Sequence, residues 1–66
     1  MYLEVGDRLL VTEHAGDPVS RVCRILSIAD SEEQPTYVVL RYDTGAEEIL
    51  VPDADVEVRV LTPAPV

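Results

Sequence analysis

A small, nearly all-β domain is the fold class this sequence predicts. Three observations carry it. Short apolar runs are separated by turn residues, the last run alternates valine with charge, and no window sustains a helical period over three turns. Sixty-six residues make one domain at most. A chain this short buries only roughly 60% of the surface its unfolded form exposes. Its single cysteine, Cys23, excludes an intrachain disulfide, so a well-patterned core or self-association must supply the stability.

The elements follow in chain order. Leu3 and Val5 lead to the turn pair Gly6-Asp7, and a first strand is expected over Arg8 to Thr12. The polar stretch Glu13 to Ser20, with Gly16, Asp17 and Pro18, reads as a loop. A second strand is expected from Arg21 to Ala29. Its alternation breaks, because Ile25 and Ile28 both face inward only if a bulge lies near Leu26-Ser27. Asp30 to Pro35 is a polar connector; its helix-like start meets Pro35 before a helix develops. Thr36 to Tyr42 is rich in strand-favouring residues and apolar on both faces, as a central or covered strand would be. Asp43-Thr44-Gly45 is a tight turn, and Glu47 to Val51 is the returning strand. Pro52-Asp53-Ala54-Asp55 reads as one short helical turn. In the last strand, Val56 to Leu61, three valines share one face and Glu57 and Arg59 the other. The domain is expected over residues 1–61, with a flexible Pro-rich tail at 62–66.

A long first loop, a polar second connector, a tight third turn and one helical turn before strand five give the connection order of a Src-homology-3-like (SH3-like) barrel. Closure of the barrel would limit exposed strand edges. A five-stranded oligonucleotide-binding barrel needs a longer chain and an additional helix.

Val5-Gly6-Asp7, Ile25-Leu26-Ser27-Ile28, Pro35-Thr36-Tyr37-Val38-Val39, Arg41-Tyr42-Asp43-Thr44-Gly45 and Pro52-Asp53-Ala54 together resemble the motifs of a short actinobacterial domain-of-unknown-function family. The resemblance covers residues 5 to 58, with Tyr42 standing where the family usually has Trp. It implies an SH3-like barrel and a cytoplasmic location, and it implies no activity.

Composition narrows the function classes. Thirteen acids face five arginines and no lysine, for a net charge of −8. That balance opposes nucleic acids and anionic membranes, whose affinity for proteins rests on cationic side chains. No apolar run approaches the ~20 residues of a membrane helix. Met1 is followed by Tyr2-Leu3-Glu4 without a basic stretch, so no signal peptide is expected and a cytoplasmic setting is the simplest reading.

Catalysis needs a nucleophile or base with oriented partners. His14 and Cys23 are the only thiol–imidazole combination, and nothing in their spacing brings them together; a buried strand cysteine and an exposed loop histidine explain them better. Glu13, His14 and Asp17 lack the ligand spacing of a zinc site, and Asp30, Glu32 and Glu33 lack that of a calcium loop. Gly6, Gly16 and Gly45 are scattered turn residues, not a phosphate loop. Tyr2, Tyr37 and Tyr42 make a poor aromatic groove for proline-rich peptides. No catalytic residue, metal ligand or cofactor is therefore expected.

The expectation is a non-enzymatic binding or regulatory module acting through protein–protein contacts. Its acidic surface, Glu32, Glu33, Glu47 and Glu48, would meet a basic patch on a protein partner. The alternative is a nucleic-acid-associated barrel of the transcription or translation type, which requires Arg8, Arg21, Arg24, Arg41 and Arg59 on one face. The generous apolar content of Val38-Val39-Leu40 and Ile49-Leu50-Val51 also leaves room for a homodimer.

Overall fold

The computed structural model describes residues 3–29 and 34–64. It contains five strands: β1 Arg8–Glu13, β2 Val19–Ala29, β3 Thr36–Arg41, β4 Glu47–Leu50 and β5 Val56–Thr62. All neighbours pair antiparallel in one sheet of order β4-β3-β2-β1-β5. The expected strands are all present, with ends that move by two residues or fewer.

Alternation sorts the side chains. Leu9 and Val11 of β1, Cys23 and Ile25 of β2, Tyr37 and Val39 of β3 and Leu50 of β4 form the buried inner face. Leu3, Ile28, Val56, Val58 and Val60 pack against it while remaining partly exposed. The expected bulge is where the pattern requires it. Ile25 sits opposite Val39 and Ser27 opposite Val38, so Leu26 is the extra residue. It resets the alternation and returns Ile28 to the inner face opposite Tyr37.

Two expectations are corrected. Pro52 to Asp55 does not make a helical turn. The Val56 N–H donates to the Asp53 carbonyl at 3.2 Å, and the Asp53 Oδ1 accepts the Asp55 N–H at 2.9 Å, which together make a β-turn closed by an aspartate side chain. The chain passes into β5 at Val56 directly after this one backbone bond, so no helical turn develops. The cylinder is also not closed: β4 and β5 are the two edges of the sheet, with no ladder between them. β4 ends after four residues, and Pro52 has no N–H to extend it.

The N-terminal turn is tied to both ends of the domain. The Gly6 N–H donates to the Ile25 carbonyl at 2.8 Å, and the Ile25 N–H to the Asp7 carbonyl at 3.0 Å. Asp7 is buried; its Oδ2 accepts the Glu4 N–H at 2.9 Å and its Oδ1 the Ala64 N–H at 2.7 Å. Gly6 has φ +96°, and a Cβ there would lie 3.3 Å from the Ala64 Cβ, so glycine suits both the turn and the close approach.

Candidate functional site

Of the four acids expected to form a partner surface, Glu32 and Glu33 lie outside the described residues. Glu47 is exposed on the outer face. Glu48 is half-buried and ion-paired. It shares the inner side with Leu50 two residues on, and its Oε1 accepts the Arg21 Nε at 2.5 Å. Arg21 also donates to the Glu13 Oε2 at 3.0 Å, and its side chain is only 8% exposed. Burial alone would lower the basicity of this guanidinium, but Glu48 and then Glu13 hold it charged, above its ordinary value. The Arg21–Glu48–Glu13 group thus caps one end of the apolar core and leaves no unpartnered polar atom buried there among the described residues.

A different acidic surface emerges from the topology. The loop after β1 meets the turn before β5, where the His14 N–H donates to the Asp55 carbonyl at 2.8 Å. Asp17, Asp53 and Asp55 are exposed at this end of the sheet, and no cationic side chain pairs with them among the described residues. Sequence reading missed the surface because its members come from segments that only the β1–β5 pairing brings together. No group of three or more His, Cys, Asp or Glu side chains among the described residues is arranged to hold a metal ion.

The arginines divide between the two faces. Arg21 and Arg41 belong to acid pairs; the Arg41 Nη2 lies 2.7 Å from the Asp43 Oδ2. The Arg41 hydrogen bond holds the Asp43 carboxyl below its ordinary value against an opposing desolvation effect. Arg8, Arg24 and Arg59 are exposed on the outer face. Arg8 and Arg24 are direct cross-strand neighbours, and the Arg8 guanidinium sits 5.5 Å from the centre of the Tyr42 ring. Together with Gly6, Thr62 and Pro63 they line a shallow groove of about 250 Å³.

A larger groove, about 370 Å³, opens where the sheet fails to close. Leu3, Tyr37, Pro52, Val56 and Val58 give it apolar walls, with Gln34 and Pro35 at its side. Cys23 lies in the core with no exposed surface, and burial pushes its thiol above the ordinary value, with Arg21 partly offsetting this. A buried thiol held protonated is a poor nucleophile. His14 is exposed in its loop, and no hydrogen bond links it to Cys23.

The family model described as "Domain of unknown function (DUF1918)" matches residues 1–58. The chain belongs to that family. The match spans β1 to β4 of this DUF1918 domain and ends within β5, at Val58. No curated protein and no solved structure matches the chain.

Proposed function

We propose that this DUF1918 domain is a non-enzymatic binding module with the connection order of an SH3-like barrel, left open between β4 and β5, whose acidic surface captures a protein partner that carries a basic one. The strand order and the bulge that bends β2 support the architecture. The observation that carries the function is the Asp17, Asp53 and Asp55 end of the sheet. These carboxylates are exposed and have no ion-pair partner among the described residues in a chain of net charge −8, while the arginines nearest the core are committed to Glu13, Glu48 and Asp43. Exposed charges of one sign speed and orient encounter with a surface of the other sign. Glu47 is a further exposed carboxylate on the outer face, and Glu32 and Glu33, expected from the sequence to act with it, are tested alongside.

One feature favours the nucleic-acid reading. Arg8, Arg24 and Arg59 share the outer face, and Tyr42 supplies an aromatic ring beside Arg8 and Arg24. Guanidinium groups around a ring suit phosphate and base together. Net charge opposes a long polyanion, so the protein-partner reading is preferred.

Both readings meet in one experiment. Binding of a synthetic arginine-rich peptide and of a short single-stranded DNA is measured by calorimetry at low salt and at about 1 M salt, where the screening length falls to ~3 Å. The expected result is salt-sensitive capture of the peptide, weakened about ten-fold by Asp17→Asn, Asp53→Asn and Asp55→Asn together. Glu32→Gln, Glu33→Gln and Glu47→Gln form the second arm. If neither set changes peptide binding, the acidic-surface reading is wrong. DNA binding abolished by Arg8→Ala with Arg24→Ala replaces it with the alternative.

A further inference from the structure

We propose that the domain forms a two-fold symmetric dimer by pairing the free edge of β5 with the β5 edge of a second copy. The proposal goes beyond partner capture and does not depend on it. β5 is the last strand in the sheet order, and among the described residues nothing pairs with its outer side.

The backbone decides which groups that edge presents. The β1–β5 register places Glu13 opposite Val56, Val11 opposite Val58 and Leu9 opposite Val60. Continuing it one step sets His14 opposite Asp55, and the His14 N–H does donate to the Asp55 carbonyl at 2.8 Å. In an antiparallel ladder, hydrogen-bonded and non-hydrogen-bonded pairs alternate. Glu57 and Arg59 therefore turn their backbone groups toward β1. Val56, Val58 and Val60 turn theirs outward. The Val56 N–H is used by the Asp53 carbonyl in the preceding turn, which leaves the Val56 carbonyl and both groups of Val58 and Val60 on the edge.

That edge is complementary to itself. The segment reads Val56-Glu57-Val58-Arg59-Val60. An antiparallel copy rotated about Val58 puts Val58 opposite Val58 in a hydrogen-bonded pair. The Val60 N–H meets the Val56 carbonyl of the second copy, and Glu57 faces Arg59 in both directions. The Glu57–Arg59 pairs fall at non-hydrogen-bonded positions, where facing side chains stand closest. Neither Glu57 nor Arg59 has an ion-pair partner within the chain among the described residues. A slip by two residues sets Arg59 opposite Arg59 and Glu57 opposite Leu61 in one direction, and Glu57 opposite Glu57 with Arg59 opposite Asp55 in the other, so of the three alignments only the one about Val58 is free of a like-charge pair.

Packing points the same way. The valines of both copies face the same side of the joined sheet. Val60 of the second copy then lies beside Val56, at the mouth of the apolar groove lined by Leu3, Tyr37, Pro52, Val56 and Val58. The antiparallel arrangement also brings the Asp53–Asp55 turn of one copy toward the end of the other that carries Arg8 and Arg24. The joined edge removes an exposed ladder of the kind that otherwise invites uncontrolled pairing.

The test is sedimentation equilibrium on the full chain across a wide concentration range, with circular dichroism as a folding control. A monomer–dimer equilibrium is expected. Glu57→Arg alone and Arg59→Glu alone should each raise the dissociation constant by about ten-fold or more, since each sets like charges opposite one another twice. The double variant Glu57→Arg with Arg59→Glu should restore dimerisation, because the pairs are re-formed with their signs exchanged. Hydrogen exchange at the Val58 and Val60 amides should slow as concentration rises. A folded chain that stays monomeric at every concentration overturns the proposal. A dimer indifferent to the single changes, or one the double change does not rescue, overturns it equally.

Discussion

Asp7 shows how one side chain can hold a small domain together. Its two carboxylate oxygens accept the Glu4 and Ala64 backbone N–H groups, from opposite ends of the chain, at a buried position. Asp7→Asn keeps one acceptor and turns an amide N–H2 toward the other donor, leaving that donor unsatisfied. The expected loss is about 1–3 kcal/mol, read by urea denaturation. Against a core that supplies about 3–5 kcal/mol, that is a large fraction of the total. An unchanged midpoint would mean that water replaces the lost acceptor. The sequence marked Gly6-Asp7 as a turn, but a turn signal does not show that the side chain is buried or that Ala64 reaches it. Glu48 gives the same lesson. Glu47 and Glu48 are chemically alike and adjacent, and Ile49 and Leu50 are both apolar, so the sequence does not say which pair faces inward. Leu50 takes the core at 3% exposure, Ile49 is left 72% exposed, and the period of two then sends Glu48 inward to Arg21.

At the scale of elements, the bulge in β2 is the device that shapes the sheet. Before it, β2 pairs with β1 and shares the core through Cys23 and Ile25; after it, β2 pairs only with β3 and contributes Ile28. Deleting Leu26 removes the extra residue and leaves Ile25 opposite Val39, Ser27 opposite Val38 and Ile28 opposite Tyr37 in plain alternation, so no inward residue of β2 changes face. What is lost is the bend and the added twist that the bulge supplies. The deletion is expected to keep the sheet folded but to cost about 0.5–3 kcal/mol, the range of most single changes, read by urea denaturation. An unchanged midpoint would show that the bulge is dispensable. The bulge was legible because Ile25 and Ile28 violate a period of two in an otherwise convincing strand. The turn before β5 was misread because Pro-Asp-Ala-Asp suits a helix start and an aspartate turn equally well, and what separates them is that the chain enters β5 at Val56 after a single backbone turn bond.

Over the whole molecule, like-charge repulsion outweighs the few ion pairs. A net charge of −8 on 66 residues repels itself in the compact state. Screening should therefore stabilise the fold. Raising chloride salt to about 1 M shortens the screening length to ~3 Å and is expected to raise Tm by about 4–8 °C, which corresponds to ~1 kcal/mol in a domain of this size. The Arg41–Asp43 pair is exposed and weakens under the same conditions, but its contribution is small beside the overall repulsion. A fall in Tm with salt, measured by calorimetry at fixed low protein concentration, would mean that local ion pairs win instead.

The sequence by itself determined that the chain is all-β, where each strand lies to within two residues, and that β2 carries a bulge. Each of these is a local property, set by the period of side-chain burial and by turn chemistry within a few residues. Only the tertiary structure decided that the sheet stays open, that Glu48 is spent on Arg21, that Asp17, Asp53 and Asp55 share one end, and that β5 has a free edge. Those outcomes depend on which strands become neighbours, and neighbourhood is fixed by competition among distant apolar faces for one small core.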